Sequence, residues 1–175
     1  ASGTFSVGDR VVALSSGRTS VIESIRIFDK ELGRCTPPQS VAISLRDDID
    51  IGRGEVLAKA DETPAAIETQ DFSATLVWLG NTPMQVGKRY HLRHATLATP
   101  AIVTAIESKL DIATLKHRAT ENDAAATLNA NDIGVINLRS ATPLFVDPYG
   151  RCRATGSFIL VDEATNETAA TPILH

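Results

Sequence analysis

The sequence predicts an all-β protein built from two tandem units of antiparallel sheet, each closed or sandwiched. Three observations carry this. Apolar and polar residues alternate with a period of two along most of the 175 residues, the pattern of a strand with one buried face. Turn signals such as "SSGR", "GNTP" and "DPYG" recur at short intervals and bound the alternating runs. A polar, proline-bearing stretch, "KADETPAAIETQD", interrupts the pattern once and reads as a linker. Many short strands so spaced favour sheet on sheet over strand–helix–strand units. The expected division is residues 1–62, a linker at 63–71, and residues 72–175.

In chain order, "DRVVAL" is a first strand, and "SVAISLR" sets Val41, Ile43 and Leu45 on one face. In "DFSATLVWL", Phe72, Ala74, Leu76 and Trp78 point one way. "KRYHLRHA" turns Tyr90 and Leu92 inward and Arg89, His91 and Arg93 outward. "AIVTAIESKLDI" aligns Ile102, Ile106, Leu110 and Ile112, while "VINLR" and "GSFILVD" complete the strands. The alanines of "DIATLKHRATENDAAATL" favour a turn or two of helix, against which its Thr, Asn and Asp residues weigh. The opening "ASGTFSVGD" reads as the middle of a hairpin. The first unit is therefore expected to be truncated at its N-terminus.

Composition excludes several classes of function. A hydrophobic content of 43% suits a soluble globular core, and a net charge of −4 supplies no basic field for nucleic acid or an anionic membrane. No apolar run approaches the roughly 18 residues that span a bilayer. Cys35 and Cys152 stand far apart, which rules out a zinc knuckle and argues against a disulfide framework. The expected compartment is the reducing cytoplasm.

Candidate sites are weighed on spacing. In "GNTPMQVGKR", six residues separate Gly80 from Gly87, and Arg89 stands where a phosphate loop has its hydroxyl. His91 and His94, three apart in a strand, face opposite ways and cannot share a metal without a bulge. No serine-nucleophile elbow occurs, and neither cysteine has a local catalytic signature. The most acidic stretch, "RDDIDIGRGEVLA", fails as a calcium loop. From Asp47 the third position is Ile49 and the twelfth is Ala58, and from Asp48 the sixth is Arg53. It reads as strand, turn and strand, with Gly52 and Gly54 permitting the turn. No catalytic, cofactor or metal residue is assigned. Two cationic groups remain, Arg89, His91 and Arg93 on one strand and Arg151 and Arg153 after "DPYG". Each is either a solvated face or a docking surface for an acidic partner or a nucleic acid backbone.

The same segments carry a family resemblance. "SGTFSVGDRVVALSSGRTSVIESIRIFD", "AISLRDDIDIGRGEVLA", "FSATLVWLGNTPMQVGKRYHLRHAT", "LNANDIGVINL" and "PLFVDPYGRCRATGSFILVDEATNET" resemble the large, GTP-binding subunit of bacterial sulfate adenylyltransferase. That subunit is similar to elongation factor Tu. The resemblance implies two translation-factor-type antiparallel β-barrels in tandem, which in that family follow a GTPase domain. It covers nearly the whole chain, and only the final "TAATPILH" leaves the pattern after "NET". Membership implies sulfate activation, in which ATP and sulfate give adenylyl sulfate and pyrophosphate, driven by GTP hydrolysis with magnesium. The adenylyl transfer belongs to a separate small subunit. The implied partners are therefore the upstream GTPase domain and that small catalytic subunit. No catalytic residue of the family maps here. Two rival readings are an RNA-binding translation-factor-like module and a hydrolase using Cys35 or the acidic stretch. Net charge and sparse aromatics count against the first, and the missing nucleophile constellation against the second.

Overall fold

The computed structural model describes residues 3–61, 67–120 and 126–174. It divides into two compact units, Ala1–Ala65 and Ala66–His175. Among the described residues every regular element is a strand.

The first unit holds β1 (Phe5–Ser6), β2 (Arg10–Ala13), β3 (Thr19–Ile27), β4 (Lys30–Leu32), β5 (Arg34–Cys35), β6 (Ala42–Leu45) and β7 (Leu57–Lys59). Strand β3 is the spine. Its first residues pair with β2 and its last with β4, while β6 pairs along its middle. Within the opening "ASGTFSVGD", β1 pairs with the distant β5. Alternation predicts the Val41, Ile43 and Leu45 face, which packs against the core of this unit. Val11, Ile22, Ile25 and Cys35 are buried, with Ile43, Leu45 and Leu57 packed against them.

The acidic stretch runs from β6 through a turn at Arg53 and Gly54 into β7, the expected order of strand, turn and strand. β6 pairs with β3 while β7 pairs with β2, so residues 46–56 cross between partners in one sheet. Its carboxylates act as latches. Ser20 Oγ donates to Asp47 Oδ2 at 2.7 Å, and the Asp47 amide donates back to Ser20 Oγ at 3.0 Å. Glu55 accepts from the Ser15 hydroxyl and the Gly52 amide, and these bonds hold its carboxyl below the usual range.

The second unit holds β8 (Ile67–Trp78), β9 (Met84–Gln85), β10 (Arg89–His94), β11 (Leu97–Asp111), β12 (Lys116–Ala119), β13 (Thr127–Leu128), β14 (Ile133–Val146), β15 (Ile159–Val161) and β16 (Thr168–Leu174). Six of them close a ring in the order β10–β15–β16–β8–β14–β11, sealed by the β10–β11 pairing. Closure removes the sheet edge and fixes an inside. Leu76, Trp78, Met84, Tyr90, Leu92, Val103, Ile136, Leu138 and Leu160 fill it. Trp78 and Tyr90 meet edge to face at 5.6 Å.

Three expectations are corrected here. Ile67–Asp71 is paired strand rather than linker, each residue opposite β14 except Gln70; residues 63–66 lie outside the described residues. The stretch after Asp111 is not helical. The Asp111 carboxylate accepts from the Ala113 and Thr114 amides, a local turn that competes with helix, and the chain returns along β11 as β12; residues 121–125 lie outside the described residues. Ile102 does not share a face with Ile106. Register shifts in β11 between Val103 and Ala105, and again between Ile106 and Ser108, reverse the alternation. Ile106 is buried, whereas Ile102 is exposed.

Two local costs yield tests. Phe28, at the tip of the β3–β4 hairpin, has φ 51° and is 96% exposed. The left-handed region costs a side-chain-bearing residue about 1–2 kcal/mol, and glycine escapes it at an entropic loss of about 0.5–1 kcal/mol. Phe28→Gly is thus expected to leave stability unchanged or raise it by about 1 kcal/mol in denaturant unfolding; a loss of that size would contradict the reading. Tyr90 is fully buried, and its hydroxyl has no hydrogen-bond partner among the described residues. Burial, helped by the Asp162 charge, raises its pKa well above the ordinary value. Tyr90→Phe is expected to stabilise the barrel by about 1 kcal/mol, within the penalty range of an unsatisfied buried hydroxyl. A marked drop in unfolding temperature would show instead that the hydroxyl is satisfied.

Candidate interface on the second barrel

Strand β10 is central to the ring, paired with β11 on one side and β15 on the other. Its residues alternate exposed and buried from Arg89 to His94. Tyr90, Leu92 and His94 therefore enter the barrel, while Arg89, His91 and Arg93 stand outside. Cross-strand register supplies their neighbours. Arg89 lies opposite Ile102, His91 opposite Pro100 and Arg93 opposite Ala98. The row through Arg89 and Ile102 continues to Arg139 on β14 and Asp71 on β8.

The charges in that row differ in kind. Arg139 is held by Asp71 through two bonds of 2.7 and 2.8 Å. Hydrogen bonding to the partner lowers the Asp71 pKa and raises that of Arg139. The pair is exposed and contributes little stability. Arg89 and Arg93 make no ion pair among the described residues.

Arg151 and Arg153 project from the connection between β14 and β15. Backbone bonds wind it tightly, with the Arg151 and Cys152 amides both donating to the Pro148 carbonyl and Gly156 donating to Cys152 at 2.7 Å. A Cβ on Gly156 would stand 2.4 Å from the Tyr149 Cα, so glycine is obligatory there. Both limbs are pinned to β16, since Tyr149 donates to the Leu174 carbonyl and Leu174 to that of Gly156. Arg151 and Arg153 are exposed, and Arg153 lies over the Tyr149 ring at 5.7 Å.

The structure joins the two cationic groups through residues that the sequence reading left unassigned. His94, next to Arg93, is buried, and its Nε2 lies 2.9 Å from the Thr155 carbonyl. The Thr155 hydroxyl donates to buried Asp147 at 2.6 Å. His94 continues the inward parity of Tyr90 and Leu92, which was the available signal. Its meeting with Thr155, 61 positions along the chain, had no local signature.

Other candidates resolve as structure. His117 Nδ1 lies 3.0 Å from Ser108 Oγ on the neighbouring strand, and His175 is outside the described residues. Cys35 is buried in the first core. The "GNTPMQVGKR" segment does not fit a phosphate loop. Gly80 packs against the Trp78 ring, Met84–Gln85 forms β9, and Lys88 is held by Asp162 at 2.9 Å. Ile43, Leu45, Ile49 and Ile51 wall an open concavity of about 420 Å³ beside Arg46, Asp47 and Asp48. Among the described residues no cluster of three or more His, Cys, Asp or Glu side chains is placed to hold a metal, and no helix is long and apolar enough to cross a membrane.

Comparison with known proteins follows the same lines. Residues 71–175 match the family "GTP-eEF1A C-terminal domain-like". The match runs through "TAATPILH", of which Thr168–Leu174 as β16 completes the ring, so the expectation that this end leaves the family pattern is corrected. Sulfate adenylyltransferase subunit 1 of Bacteroides thetaiotaomicron is 39% identical over 97% of the chain and 36% of its own length. That of Alteromonas mediterranea is 40% identical over 95% and 34%. The bifunctional enzyme CysN/CysC of Mycobacterium tuberculosis is 38% identical over 97% and 27%. The chain thus spans about a third of the subunit 1 relatives. The crystal structure of Sup35 complexed with GMPPNP superposes with a TM-score of 0.83 at 18% identity, over 98% of this chain and 41% of that one, a likeness of fold. The chain belongs to the GTP-eEF1A C-terminal domain-like family, and along nearly all its length it is similar to sulfate adenylyltransferase subunit 1.

Proposed function

We propose that this chain is the non-catalytic β-barrel portion of a cytoplasmic GTPase subunit of sulfate adenylyltransferase. In this role it couples GTP hydrolysis in an upstream domain to adenylyl sulfate formation in a small catalytic subunit. The observation that carries the reading is identity near 40% with subunit 1 relatives along almost the whole chain. GTP, ATP and magnesium belong to the other parts of such an assembly, since the residues present here do not fit a nucleotide site. The barrels contribute rigid bodies whose contacts differ between nucleotide states, the only way hydrolysis can reach a distant site. The outer face of β10 and the Arg151–Arg153 loop are the surface through which the second barrel meets the small subunit or the GTPase domain. Sparse aromatics and the net charge of −4 favour this over the RNA-binding reading.

The test reverses charge in the complete subunit, with Arg89→Glu and Arg93→Glu in one variant and Arg151→Glu and Arg153→Glu in another. Association with the small subunit and its stimulation of GTP hydrolysis are measured for each. At least one variant is expected to weaken association about tenfold or more while folding normally, the scale of losing a well-placed interfacial charge. Variants that both fold, bind and couple like the parent would show these faces to be merely solvated.

A further inference from the structure

We infer that the Pro148–Gly156 loop is a prefolded receptor for the carboxylates of an acidic protein segment, with His94 as its positioning residue. The inference rests on the proposed docking role of this barrel, but its test does not need the identity of the partner.

Rigidity is the first ground. Long arginine side chains on a mobile loop lose affinity to the entropy of ordering them. Here the loop is wound on the Pro148 carbonyl, closed on Gly156 and tied at both limbs to Leu174. Arg153 is further restrained by the Tyr149 ring and by Ser157 Oγ, which donates to its carbonyl at 2.7 Å. Beneath the loop, His94 and Asp147 grip Thr155 from two sides, one at its carbonyl and the other at its hydroxyl. All three are buried. This buried cluster satisfies the polar groups at the barrel end and so fixes the loop that carries both arginines.

Charge is the second ground. Among the described residues neither Arg151 nor Arg153 has an ion-pair partner, and the acid just before the loop, Asp147, is buried and committed to Thr155. Guanidinium groups pair bidentately with carboxylates or with phosphates. Two arginines on a chain of net charge −4 do not make the extended track of cations that neutralises a polynucleotide. A short acidic stretch of protein matches these two exposed guanidinium groups in number and in sign of charge.

The test follows the arginine Nε–H signals of the chain by NMR during titration with three probes: a hexaglutamate peptide, inorganic sulfate and a ten-residue oligothymidylate. The glutamate peptide is expected to saturate the Arg151 and Arg153 signals and to bind more tightly than either other probe. Arg151→Ala with Arg153→Ala should abolish the effect. His94→Phe, which keeps an inward ring and loses the bond to Thr155, should weaken the peptide about three- to tenfold, the cost of reordering one or two long side chains. His94→Gln, which can donate to the same carbonyl, should recover most of that loss. Thr155→Val is a second route to the same loosening and should match His94→Phe, with near-ultraviolet circular dichroism confirming a folded barrel. Tighter binding of the oligonucleotide or sulfate would overturn the choice of ligand. Undiminished peptide binding in folded His94→Phe and Thr155→Val would overturn the positioning role. Loss of small-subunit association in charge-reversed arginine variants, with peptide binding absent from the parent, would leave the docking reading standing and this inference refuted.

Discussion

Everything described for the second unit depends on the pairing of β10 with both β11 and β15, the step that closes a seven-stranded sheet into a six-stranded ring. Once the ring is closed, each strand has one side facing a packed interior and one facing out. A strand reading Arg-Tyr-His-Leu-Arg-His has no choice of orientation, because turning it over would put two guanidinium groups into the barrel. The energetic asymmetry is large. An isolated buried charge is penalised by far more than the burial of Tyr90 and Leu92 can return. The outward cations are thus a consequence of closure, and their use in recognition is a second property built on the same constraint.

Closure also explains the buried polar cluster. The β14–β15 connection must cross the barrel end beside the last residue of β10, and that residue is a histidine with inward parity. A barrel end is where backbone groups run out of ladder partners. The Thr155 carbonyl accepts from the Asp147 amide at 3.3 Å and meets the His94 ring at 2.9 Å. The loop is therefore fixed by the groups that satisfy the barrel end, and the arginines it carries inherit that order.

Alternation in the sequence was enough to identify the packed face of β6, the inward residues of β8 and β10, and the outward face carrying Arg89, His91 and Arg93. It failed where one residue was inserted into a ladder. The shift in β11 between Val103 and Ala105 puts Ile102 on the opposite face from Ile106, and alternation carries no mark of a bulge. The acidic stretch was legible as strand, turn and strand, but the different partners of β6 and β7 were not, because strand partners are chosen by packing across the unit. Helix was overestimated after Asp111 because alanine propensity was set against a carboxylate that caps its own turn. Of the candidate surface, the charged residues were legible, and the His94–Thr155–Asp147 cluster beneath them was not, since its members meet only through closure.

The central claim is that one outer surface, formed by β10 and the Pro148–Gly156 loop, is where this barrel meets its partner. The most direct measurement is arginine modification by phenylglyoxal in the complete subunit, with and without the small subunit bound, read residue by residue by mass spectrometry. The account predicts that Arg89, Arg93, Arg151 and Arg153, or one of these two pairs, become protected while exposed Arg18 of the first unit reacts as before. Unchanged modification of all four in the bound complex would contradict it.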